Sequence, residues 1–226
     1  AGAIYGTEGT AAGMNYNVWD FYGKKKIWHF TFATEVPITS GEIGGYKYST
    51  FAIATETQWD VMENFNLKLK VGHAPGQPNG EANPKKFNAF YFHPNYKLGL
   101  IIFNYQLNNL SGQNSTNSTS AGAGGLRSPY DNPIVNAQYI NFRGRYELGK
   151  WGFDSNWVFA KAAQRAAIGS TFYNYWDHAS YSNASGKEQG GFMGWETDLG
   201  ATYKWDEAFL FGLDAGVFLP GSYYQF

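Results

Sequence analysis

The chain has 226 residues, with 17 Lys+Arg against 18 Asp+Glu; a net charge of −1 leaves no basic footprint for nucleic acid. It has no cysteine, which excludes a disulfide scaffold and a thiolate metal site. Aromatic residues make up 19% and charged residues only 15%, against about 25% charged in soluble domains, yet the mean hydropathy is −0.42 and no apolar run reaches the ~18 residues of a membrane helix.

That combination fits a sheet with one face in lipid and the other in water. The first residues, AGAIYGTEG, have neither a basic n-region nor an apolar h-region, so no export signal is visible in them.

Period-two alternation runs along the chain and predicts strands. A weak strand is drawn at 12–22. In 26–36, Trp28, Phe30, Phe32 and Val36 alternate with His29, Thr31 and Glu35. A further weak strand lies at 45–58 and places Glu56 on the polar face. In 62–72, Phe65, Leu67, Leu69 and Val71 alternate with Asn64, Asn66, Lys68 and Lys70. Stretches 86–92 and 97–107 are also read as strands, more continuously apolar and of ambiguous facing. In 138–148, Ile140, Phe142, Tyr146 and Leu148 oppose Asn141, Arg143, Arg145 and Glu147. In 151–160, Trp151, Phe153, Trp157 and Phe159 oppose Asp154 and Asn156. In 191–205, Met193, Trp195, Thr197, Leu199, Ala201, Tyr203 and Trp205 oppose Gly194, Glu196, Asp198, Gly200, Thr202 and Lys204. After Asp206, Phe209, Phe211, Leu213, Ala215 and Val217 oppose Gly212, Asp214 and Gly216. The sum is about ten strands, each close to the ~9–11 residues that a tilted strand needs to cross a bilayer.

Connections fall into two classes. GKKK at 23–26, WDVM at 59–62, HPNY at 93–96, LGKW at 148–151 and WDE at 205–207 read as tight turns. The stretches 37–45, 73–84, 108–133 and 164–190 read as long polar loops. Short and long alternate, as in bacterial outer-membrane barrels with short periplasmic turns and long external loops. Trp19, Trp28, Trp59, Trp151 and Trp205 lie within about three residues of a proposed tight turn and are expected to form an aromatic girdle at the headgroup level. A soluble β-sandwich needs neither the turn asymmetry nor the belt.

The expected fold is therefore all-β: an antiparallel transmembrane β-barrel spanning residues 1–226 as one domain, with about ten strands visible. Only helices and closed barrels satisfy the backbone in hydrocarbon, so the strands are expected to close. With the tight turns on the periplasmic side, both ends of the chain fall on the outer side, and Pro220-Gly221 interrupts the last strand. This predicts twelve or more strands in the whole protein, or else an extra strand at 2–10 and a tail that returns inward after Gly221.

Residues 191–221, which carry GWETDLGATYKWDEAFLFGLDAGVFLPG, resemble the closing hairpin and following loop of alginate-export-type outer-membrane barrels. The similar elements are the Gly-Trp-acidic opening, the tight turn after Tyr-Lys-Trp and the Pro-Gly after the next strand. The resemblance covers about a seventh of the chain and implies a passive conduit for polar solutes, with a further strand to follow. No arginine-rich lining set of that family is matched.

The charged residues on the polar face, the candidates for lining a pore, include Glu35, Glu56, Lys68, Lys70, Arg143, Arg145, Asp154, Glu196, Asp198 and Asp214. The turn at 148–151 places Arg145 opposite Asp154 and Arg143 opposite Asn156. The turn at 205–207 places Asp198 opposite or diagonal to Asp214. These residues set a weak ion selectivity if they line a watery lumen, or a salt-bridge network if the barrel is narrow. The acidic set Glu196, Asp198 and Asp214 is read as a solvated face rather than a divalent-cation site. The histidines are His29, His73, His93 and His178; a loop triad around Trp176-Asp177-His178 with Ser180 and Ser182 is outweighed by ordinary loop composition, and no metal motif or phosphate loop is present. The sequons at Asn114, Asn117 and Asn183 carry little weight. The expectation is a passive, porin-like channel for ions or small polar solutes in the bacterial outer membrane, not an enzyme and without cofactor. Its partners would be the lipid bilayer and the barrel-assembly machinery, with no nucleic acid. The alternative is a structural or adhesive barrel with a plugged lumen, whose external loops bind a partner.

Overall fold

The computed structural model describes residues 14–43, 46–76, 86–93, 95–104, 134–165, 168–169, 171–174, 179–182 and 186–224. They form one large sheet built from β1 (Met14–Ile27), β2 (Phe30–Ile43), β3 (Tyr46–Phe51), β4 (Ile53–Met62), β5 (Phe65–Ala74), β6 (Lys86–Phe87), β7 (Ala137–Leu148), β8 (Trp151–Ala162), β11 (Phe192–Lys204) and β12 (Leu210–Pro220), while β9 (Thr171–Asn174) and β10 (Ala179–Ser182) make a separate hairpin. β3 and β4 are one long strand broken at Ala52, whose N–H reaches the Pro37 carbonyl at 3.0 Å; β2 pairs with β4 below the break and with β3 above it. The frame is thus an eight-membered antiparallel meander in the order β1, β2, β3/β4, β5, β7, β8, β11, β12. Among the described residues only the two-residue β6 is parallel to its neighbour, β3.

Alternation dictates which side each residue takes. One register row reads Phe32, Thr57, Leu69, Phe142, Trp157, Thr197 and Val217, and the next reads Thr31, Gln58, Lys68, Arg143, Asn156, Asp198 and Gly216. The first row belongs to a continuous apolar face that is left exposed: Phe142 is 49%, Leu199 62% and Leu213 74% accessible. An exposed apolar surface this continuous marks contact with a partner or a membrane rather than with water.

Four hairpin turns share one end of the sheet, at 28–29, 63–64, 149–150 and 205–209. Gly149 takes the left-handed conformation in the third (φ 58°), and Trp28 takes it in the first (φ 53°). Aromatic rings cluster here. Phe30 stacks on Trp59 at 5.5 Å, Trp151 meets Tyr203 at 4.6 Å, and Tyr203 meets Trp205 at 6.3 Å. A second group lies further along the same face, with Trp195 stacked on Trp157 at 5.9 Å and on Phe159 at 6.3 Å.

Several expectations are corrected. GKKK is not a turn: Lys24 and Lys26 face the polar side within β1 and Lys25 the apolar side, with the reversal at Trp28–His29. The stretch 37–45 is not a long loop, because β2 runs on to Ile43 and β3 begins at Tyr46; the strict alternation of short and long connections therefore fails there. Trp19 pairs with Ile38, eight residues before the turn, about 26 Å up the strand at 3.3 Å per residue, so it does not share an end with Trp28, Trp59, Trp151 and Trp205. Apart from β6, the stretches 86–92 and 97–107 are not strands where they are described, and HPNY joins no hairpin; its Tyr96 N–H closes a local turn on the His93 carbonyl at 2.9 Å. Met193 leaves the apolar face. A bulge between Phe192 and Gly194, where Gly194 takes φ 130°, turns Met193 inward to 3% exposure. The loops at 77–85, 105–133 and 175–178 lie outside the described residues.

The sheet is not closed. Among the described residues, β1 pairs only with β2 and β12 only with β11. Residues 86–104 place a length of backbone over the polar face of this open sheet.

Candidate functional site: the polar face and the segment lying on it

By register, Glu35, Glu56, Lys68, Lys70, Arg143, Arg145, Asp154, Glu196, Asp198 and Asp214 all fall on one face. Arg143 stands opposite Asn156, Arg145 opposite Asp154, and Asp198 diagonal to Asp214, whose direct partner is Gly200. The charges sort into two zones.

Toward the tight turns the face is open and ion-paired. Asp154 is held by both arginines: Arg143 donates from Nε at 3.0 Å and from Nη2 at 2.7 Å to Oδ1, and Arg145 donates from Nη1 at 2.9 Å to Oδ2. Arg145 also reaches Glu147 at 3.1 Å. Lys26 pairs with Asp60 at 3.4 Å, and Lys70 pairs with Glu56 at 3.1 Å further in, in the register row of Glu196, where Lys70 lies largely covered beside Tyr96. The arginines keep 36–50% of their side-chain surface in solvent, so these pairs fix charge in space more than they stabilise the fold. Lys68 and Asp214 have no ion-pair partner among the described residues.

At the other end the face is covered. Most of its positions become small there, with Ala54, Gly72, Ala160 and Gly194 flanking Tyr139 in one row and Ala74, Ala137 and Ala162 in the next. Segment 86–104 fills the room. Phe92, Leu98, Ile102 and Phe103 pack with Ile134, Tyr139, Val158, Met193 and Tyr223 in a hydrophobic core. Burying a side chain of this size stabilises by roughly 1.5–3 kcal/mol.

The acidic pair anchors that segment. Glu196 is fully buried; its Oε1 accepts the Ile101 N–H at 2.8 Å and its Oε2 accepts the Ile102 N–H at 2.5 Å. Asp198 Oδ2 accepts the Leu100 N–H at 3.3 Å and the Asn156 amide at 2.8 Å, and the same Asn156 nitrogen reaches the Leu98 carbonyl at 2.8 Å. A Cβ on Gly99 would stand 2.6 Å from Glu196 Oε1, so a larger residue here would press the carboxylate away from its backbone donors. Glu196 and Asp198 are therefore not a solvated acidic patch: three consecutive backbone N–H groups replace water as their partners. Asp214 stays apart and exposed on the edge strand β12.

Sequence reasoning missed Tyr139 and Tyr96, whose hydroxyls meet at 3.0 Å. It also missed Asn141, which donates to Asn156 Oδ1 at 2.6 Å. The available signal was the change from charged to small residues along the polar face. Of the histidines, His29 sits in a turn, His73 contacts the Gln138 amide at 3.3 Å and His93 accepts the Asn95 N–H at 3.2 Å, while the suggested triad around His178 lies outside the described residues. No protein-family model and no curated protein matches the chain.

Proposed function

We propose that the chain forms the greater part of the wall of a transmembrane β-barrel in the bacterial outer membrane, resembling alginate-export-type and porin-like barrels, and that it passes ions or small polar solutes down their gradient. The observation that carries this reading is the division of one sheet into a continuous exposed apolar face with two aromatic groups and a face that gathers ten predicted charged residues. A sheet of this kind suits lipid on one side and water on the other. Closure requires strands beyond the eight long ones, because the interior must hold backbone as well as side chains.

The test is single-channel recording of the natively purified protein in a planar bilayer, with the reversal potential taken in a salt gradient. Discrete steps support the channel; silence from a verified, folded, membrane-inserted protein removes it. A second reading, a plugged structural barrel that works through its loops, is favoured by one observation, the seating of segment 86–104 on Glu196 and Asp198. Silence would favour that reading.

A further inference from the structure

Between the polar face of β1, β2 and β4 and residues 90–96 lies a cavity of about 850 Å³. It is separate from the paired arginines and from the Glu196 anchor. Its carboxylates are Asp20 from β1 and Glu35 from β2; His93 also lines it, and among the described residues no lysine or arginine does. The register sets Tyr22 opposite Glu35 and Asp20 opposite Pro37, so the two carboxyl groups are diagonal neighbours on one face. One oxygen of Asp20, Oδ1, is buried without a hydrogen-bond partner. The remaining walls are largely aromatic, with Tyr22, Phe90, Tyr91 and Tyr96 among them.

The nearby cations are engaged elsewhere or stand off. Lys70 is paired with Glu56 and sits 4.8 Å from the Tyr96 ring, a cation–π contact that already shows what this ring accepts. Lys24, two residues beyond Tyr22 on the same face, does not line the cavity.

Two adjacent carboxylates repel each other unless a proton or a cation joins them. Aromatic rings within about 6 Å favour a cation that carries hydrocarbon over a bare, strongly hydrated ion. The volume lies in the range of small-molecule sites, about 300–1,000 Å³. We propose that this cavity is a binding site for organic ammonium solutes, with Asp20 and Glu35 neutralising the charge and the tyrosine and phenylalanine rings enclosing the hydrocarbon. The inference rests on the channel reading to the extent that the site becomes a station on the solute's path. It gives the conduit a preferred solute class.

The test uses the natively purified full chain in detergent, titrated calorimetrically with benzylammonium chloride. Benzyl alcohol serves as the neutral analogue and benzoate as the anionic one. The expected result is saturable binding of benzylammonium, about tenfold or more tighter than either analogue, and weakened about tenfold or more by Asp20→Asn with Glu35→Gln. Equal binding of benzyl alcohol or benzoate overturns the proposal, as does full retention of affinity in a double variant with unchanged circular dichroism. If the double variant does not fold, the comparison of the three ligands on the unaltered protein decides alone. Conductance recorded in parallel separates the two readings: binding without current leaves the site standing and removes the channel, and current without binding does the reverse.

Discussion

Glu196 and Ile102 are 94 residues apart in sequence and are joined by a 2.5 Å hydrogen bond from the Ile102 N–H to Oε2. With the Ile101 N–H on Oε1, this carboxylate holds the inward segment in place. Glu196→Ala leaves two backbone donors without partners beneath a covered surface, at a cost of about 2 kcal/mol or more. The expected outcome is faster proteolytic cutting within 98–104 in the folded protein and, if the protein conducts, a larger unit conductance. Unchanged cutting would show that apolar packing alone seats the segment.

Asp154 is the shared counter-charge of Arg143 and Arg145. Asp154→Asn removes one negative charge and leaves both guanidinium groups on the open half of the face. The reversal potential in a salt gradient is expected to move toward anion selectivity. Unfolding stability should change by no more than about 1 kcal/mol, because the arginines are part-exposed. A shift toward cations would contradict this placement of charge.

Phe142 lies mid-strand on the apolar face and is 49% exposed. In a membrane, Phe142→Lys is expected to cost about 2–4 kcal/mol, the depth-dependent penalty of a lysine facing lipid near the midplane. In water the same change costs almost nothing. Urea unfolding from lipid vesicles measures the difference, and a cost near zero would remove the membrane reading of this face.

Tyr223 and Tyr224, in the short turn after β12, are pushed above the ordinary tyrosine value of 10 chiefly by burial. Folding thus favours their neutral forms. The stability they lend is complete below pH 10 and falls as the pH rises from there toward their elevated folded values. Spectroscopic titration of tyrosinate should show a fraction of the tyrosines ionising late, together with loss of tertiary structure. Tyr223→Phe should shrink that late fraction. A single titration near pH 10 with the fold intact would refute this.

Strands and their facing were legible because an exposed apolar side forces strict alternation: Phe142 against Arg143 or Trp157 against Asn156 admits one reading. The hairpin at 149–150 gave its register in the same way. Segment 86–104 was misread for the opposite reason. Leu98, Leu100, Ile101, Ile102 and Phe103 are apolar at both parities, which fits a doubly buried strand as well as a strap pressed between a sheet and its own core. The lysines at 24–26 suggested a turn by composition, yet β1 has one polar side able to take two of them, and Lys25 lies near the strand end, where its stem can run along apolar surface. The role of Glu196 was hidden because its partners are backbone N–H groups, which leave no trace in a sequence.

The meander has a consequence for how the chain assembles. Each long strand pairs with the next in order, so the pairs β1–β2, β4–β5, β7–β8 and β11–β12 can form as local hairpins with little loop-closure cost, while β5–β7 and β8–β11 must first close the connections from Ala74 to Ala137 and from Ala162 to Phe192. The strap at 98–104 cannot follow that schedule, since its anchor on β11 arrives more than ninety residues later. The polar side is therefore expected to stay uncovered through most of assembly and to be shut only by the last hairpin. A chain ending before residue 192 should accumulate with residues 98–104 open to protease, whereas the chain given its final hairpin in trans should regain protection in one late step.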